Sequence, residues 1–155
     1  MFVSIRLRLC CAGSFVVKSF VAADIHGFNA HETFVNLAEK EKIKGHHSPE
    51  GRAIRALSRA LSGWSAGNLT RRDVIVMCEQ GVEDWLKARL RLSPWASRTM
   101  PGLLVDALVQ KLITPAETVR LQRLHHWRAR ADEPISTREV EAALEFSIEA
   151  IDKHW

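Results

Sequence analysis

The sequence predicts an all-α protein, an antiparallel helical bundle of about five to six helices, and three observations carry that expectation. Helix-start signatures recur along the chain: Ser48-Pro49-Glu50, Thr70 with Asp73, Thr114-Pro115-Ala116-Glu117 and Ser136-Thr137-Arg138-Glu139. Each places a capping hydroxyl before a first-turn acid, and two add proline where its missing N–H costs nothing. Apolar residues then recur at spacings of three and four, the period of a helix with one buried face. No useful period-two alternation, no Asn-Gly or Asp-Gly hairpin signal and no tyrosine speaks for strands.

In chain order, residues 1–27 differ in texture from the rest. They carry Arg6, Arg8 and Lys18 against Asp24 and have no defensible period, so they read as a poorly ordered or targeting-like N-terminal extension. Residues 28–155 form the helical domain, of a size that encloses a real core. A first helix spans about His31 to Lys44 and stops at Gly45, a natural left-handed cap. The second follows Ser48 and buries Ile54, Leu57, Leu61 and Trp64, with Arg52, Arg55 and Arg59 on its other face. After the Ser65–Asn68 break, the third buries Ile75, Cys78, Val82, Trp85 and Leu86 and turns Lys87, Arg89 and Arg91 outward until Ser93-Pro94 ends it. A short helix from about Pro101 to Leu112 offers Leu104, Val105, Leu108 and Leu112 to the core. The last two helices start at Thr114 and Ser136; Pro134 stops the first of them near Ala131 or Asp132 and turns the chain into an antiparallel pair. Val140, Leu144, Ile148, Ile151 and Trp155 make the buried stripe of the final helix.

Composition narrows the chemistry. No apolar run approaches the roughly 18 residues of a membrane span, so no membrane partner is expected. Three cysteines, two of them adjacent at Cys10 and Cys11, make no disulfide framework, which places the chain in a reducing cytoplasm by default. The net charge is +4; the extension holds +3 and −1 of it, leaving +2 on the helical domain. Gly-rich phosphate loops, H-E-x-x-H and C-x-x-C are absent. The pairs His46-His47 and His125-His126 are poor metal candidates because adjacent helical side chains diverge by about 100°, so neither a metal nor a cofactor is expected. Of the five tryptophans, Trp64, Trp85 and Trp155 fall on core stripes, Trp95 and Trp127 fall nearer the surface, and the set gives no stacking platform.

The one cluster able to do chemistry is His125 to Asp132. It follows Ile113-Thr114-Pro115 and a Leu121-x-x-Leu124-x-x-x-Arg128 run, and precedes a Glu133-Pro134 turn and a Ser136-capped helix reading REVEAALE. Over roughly Thr70–Trp155 this resembles the C-terminal helix pair of HEPN-like domains, including the DUF4145-type branch, where the turn follows an Arg-Asn-x-x-x-His sequence. The resemblance implies a helical dimer, associated with toxin–antitoxin or nucleotidyltransferase partners. In nuclease members it implies metal-independent RNA cleavage, with arginine holding the phosphate and histidine moving protons. Aligned on the turn, Asp132, Trp127 and Arg128 stand at the histidine, arginine and asparagine positions. A displaced register offers Arg120 with His125 or His126, although Arg120 and His125 lie about 140° apart around a helix.

The candidate catalytic set is therefore Arg120, His125, His126, Arg128 and Asp132. The preferred expectation is a non-catalytic interaction or binding module in which the cations at the helix end favour its dipole. A nucleic-acid-binding helper using Arg52, Arg55, Arg59 and Arg130 is a further alternative.

Overall fold

A computed structural model describes residues 30–45, 47–130 and 133–154. The N-terminal extension, His46, Asp132 and Trp155 lie outside the described residues. Six helices follow one another: α1 Ala30–Lys44, α2 Pro49–Ser65, α3 Arg71–Arg89, α4 Met100–Val109, α5 Pro115–Ala129 and α6 Thr137–Lys153, with no strand among the described residues. The all-α bundle read from the sequence is the architecture observed.

The starts are made by the residues that signal them. Thr70, Thr114 and Ser136 each accept from the backbone N–H three residues on, while Asp73, Glu117 and Glu139 accept from the cap's own N–H. Ser48 caps α2 by accepting from Gly51. Gly51 is itself required: a Cβ there would stand 2.0 Å from the Gly45 carbonyl oxygen, so the α1–α2 turn closes only over a bare backbone.

Two stops differ from the expected ones. Helix α3 ends at Arg89 and α4 at Val109, in each case through a left-handed residue that is not glycine, Arg91 at φ 56° and Lys111 at φ 57°. The next amide reaches back five residues, Leu92 to the Lys87 carbonyl at 2.8 Å and Leu112 to the Ala107 carbonyl at 2.9 Å. This double-bonded helix terminus satisfies the last carbonyls and turns a leucine back toward the core, which offsets the strain of the left-handed residue.

Helix α3 is central, packed against α2, α4, α5 and α6. Ile54, Leu57, Ile75, Leu86, Leu103, Leu121, Leu124, Leu144 and Ile151 are fully buried around it. Helices α5 and α6 run antiparallel: Glu117 meets Lys153, Arg120 meets Glu149 and Arg130 meets Glu139, in opposite order along the two helices. Trp127 stacks on Phe146 between them, with ring centroids 6.3 Å apart.

Three side chains depart from the sequence reading. Lys87 does not face outward: it is 9 % exposed, and its ammonium donates to the Pro94 carbonyl at 3.4 Å, because α3 is covered on several sides and its buried face is wider than a single stripe. Val105 is not in the core but 58 % exposed, since α4 buries Met100, Leu103, Leu104 and Ala107 instead. Those four share helical spacing as well as the expected set did, and in a ten-residue helix of almost wholly apolar text the pattern does not choose between faces. Trp127 is buried, while Trp95 is exposed as expected.

Candidate functional site

One helical face of α3 carries Glu79, Glu83 and Lys87 at steps of four, so their side chains stack one above another. Glu79 also lies three and seven residues before Val82 and Leu86, which ties it to the buried face. Its side chain is 1 % exposed. Helix α5, packed on α3, brings His125 and Arg128, one turn apart, to that carboxylate. His125 Nδ1 lies 2.9 Å from Glu79 Oε1, and Arg128 Nη1 donates to Glu79 Oε2 at 2.9 Å. The imidazole and the guanidinium remain about half exposed, at 44 % and 46 %.

The electrostatics follow from that packing. Hydrogen bonding and charge from Glu79 raise the Arg128 pKa above its ordinary value and hold the guanidinium charged. Burial, reinforced by the neighbouring Glu79 carboxylate, raises the Glu83 pKa, with Lys87 and Arg128 opposing the shift. A titratable imidazole and a fixed cation do therefore meet at one place. Both, however, address a carboxylate inside the protein, and a phosphate approaching Arg128 would meet two acids.

The other sequence candidates do not join them. Arg120 donates to Glu149 on α6 at 3.2 Å and lies over the Phe146 ring, 5.6 Å from its centroid. There it lines a groove of about 420 Å³ between α5 and α6. Arg120 and His125 thus diverge as helical geometry requires. His126 is exposed, and Asp132 lies outside the described residues. Arg130 is bound to Glu133 and Glu139, while its carbonyl accepts from Arg72 at 2.8 Å. With Arg71 donating to the Ile135 carbonyl at 2.9 Å, the first turn of α3 clasps both sides of the α5–α6 turn.

The arginines of α2 have separate local roles. Arg55 pairs with Glu41 on α1 at 3.1 Å, Arg52 reaches the His47 carbonyl at 3.4 Å, and Arg59 is exposed. None of these contacts links them to Arg130. Cys78 is fully buried, and burial pushes its thiol up to about 12 with the Ser147 hydroxyl opposing, so it is an inert packing residue. Among the described residues no group of three or more His, Cys, Asp or Glu is placed to hold a metal ion, and no helix is long and apolar enough to cross a membrane.

Glu79, Glu83 and Lys87 are the site residues that sequence reasoning missed. Their steps of four were visible, as was the alignment of Glu79 with Val82 and Leu86. A lone acid on an apolar face signals a buried partner, but nothing in the text names which cation supplies it. Comparison of the chain with family models, with curated proteins and with solved structures finds no match.

Proposed function

We propose that this protein is a non-catalytic interaction or binding module, a cytoplasmic HEPN-like helical bundle working as a homodimer without a cofactor. The observation that carries this reading is the commitment of both Glu79 oxygens to His125 and Arg128. The residues of the cluster best suited to cutting a phosphodiester serve as hydrogen-bond partners for a buried acid, Arg128 as its counter-charge. Arg120, which a nuclease in the displaced register would need beside His125, is engaged with α6 instead. For dimerisation or partner binding the surface offers apolar side chains, Val105 and Val109 one turn apart on α4 and Val119 on α5, all more than half exposed. The resemblance on which the HEPN-like reading rests points to partners of toxin–antitoxin or nucleotidyltransferase type.

Metal-independent RNA cleavage is the second reading, favoured by the meeting of His125 and Arg128 at one carboxylate. Incubating folded protein of measured mass with labelled single-stranded RNA in EDTA separates the two. The module leaves the RNA intact in wild type, His125→Ala and Arg128→Ala alike. Cleavage by wild type that both variants abolish would overturn it.

A further inference from the structure

The α3–α4 connection presents the most exposed large hydrophobic side chain among the described residues, Trp95, at 91 %. Its support is ordered. Ser93, Pro94, Trp95 and Ala96 form a tight turn closed by the Ala96 amide donating to the Ser93 carbonyl at 2.9 Å, with proline at the second position where its φ is pre-set. The Trp95 amide donates to Ser93 Oγ at 3.3 Å, and the buried Lys87 holds the Pro94 carbonyl from below. Leu90 and Met100 bury both ends of the connection in the core. A rigid turn on an anchored loop thus holds an indole in water, where its apolar area gains nothing from the fold.

The connection itself carries charge of one sign. From Lys87 to Met100 the chain carries Lys87, Arg89, Arg91 and Arg98 and no acid. Arg89, Arg91 and Arg98 are exposed; Asp106 lies 3.9 Å from Arg98, and Glu83 on α3 opposes the charge of Lys87. Arg91 occupies its left-handed position at the helix end, where glycine would fit without strain. An exposed π-face on a connection whose neighbouring chain carries exposed arginines matches a polymer with flat faces and a regular negative charge.

We propose that the Trp95 turn, with Arg89, Arg91 and Arg98, binds single-stranded nucleic acid: a base stacks on the indole and the arginines take the adjoining phosphates. The site deepens the reading of this chain as a binding module and rests on it by naming a partner class. It is separate from the α2 arginines and Arg130. A duplex keeps its base faces stacked within the helix and so offers the indole nothing, while an acidic polypeptide carries charge without bases.

The test is fluorescence anisotropy at low and moderate salt with fluorescein-labelled 12-nucleotide oligouridylate and oligodeoxythymidylate, an RNA duplex and a polyglutamate peptide. Single strands of either sugar are expected to bind more tightly than the duplex or the peptide. Trp95→Ala is expected to weaken binding about 10-fold or more and Trp95→Phe by about threefold or less, because phenylalanine keeps a stacking face. Arg91→Ala should lower the slope of log affinity against log salt by about 0.7. An exposed side chain carries no core packing, so unchanged thermal melts will show these variants folded. Equal binding of duplex or polyglutamate, an unaffected Trp95→Ala, or no binding by the wild type would each overturn the site. Gel analysis of the RNA after titration separates the two failures. Intact RNA without binding removes the Trp95 site alone, and cleavage lost in His125→Ala removes the non-catalytic reading alone.

Discussion

Glu79 and its two partners are unequally buried, and that inequality sets what each substitution does. Removing Arg128 leaves a carboxylate at 1 % exposure with only the imidazole to stabilise it, whereas removing the Glu79 charge leaves an imidazole and a guanidinium that water already reaches. Arg128→Ala is therefore expected to cost about 3 kcal/mol and Glu79→Gln about 1–2 kcal/mol. Urea unfolding checks the order; equal losses would mean that water reaches Glu79. Glu83 works in the opposite sense. Its raised pKa means the folded state favours the protonated acid, so its contribution to stability falls as pH rises through the carboxylate range. Glu83→Gln is accordingly expected to raise the midpoint of thermal unfolding at pH 7, an advantage that shrinks at pH 4.

At the scale of elements, the starts were legible and the stops were not. Thr70, Thr114 and Ser136 cap where the text says they should, because a capping box is local chemistry complete within four residues. Ends at Arg91 and Lys111 escape such reading, since a left-handed arginine or lysine is held there by the leucine that follows it and by tertiary packing. That makes Lys111 a place to gain stability. Lys111→Gly relieves the left-handed strain and is expected to stabilise by up to about 1 kcal/mol, measurable by denaturant unfolding. Gly51→Ala goes the other way, by about 2 kcal/mol, because the Gly45 carbonyl must move aside. The site was half legible for the same reason. His125 and Arg128 stand out as the basic residues of one helix end, but Glu79 becomes their partner only when α5 lies on α3. Asp132, the remaining sequence candidate there, lies outside the described residues.

Across the whole molecule, polar pairs tie the last helix, α6, to α1 and to α5. Lys40 of α1 pairs with Asp152 of α6, and Glu117, at the start of α5, accepts from Lys153 and His154. Burial works against the Glu117 charge, but bonds from Lys153, Thr114 and His154 outweigh it and hold the acid at about 2. An unfolded glutamate titrates near about 4.3. The stabilisation is thus complete above that value and is lost as pH falls toward about 2. Glu117→Gln is expected to cost about 1 kcal/mol at pH 7 after solvent screening, and to flatten the decline of unfolding free energy between about pH 5 and 2. The order of synthesis gives Glu79 a further significance. His125 and Arg128 follow it by 46 and 49 residues, so α3 is synthesised in full before either partner has been added to the chain. Until α5 emerges, α3 must keep that face wet or bury an uncompensated acid. The early helices are thereby kept from settling into a finished core of their own, and completion of the fold waits for the last two.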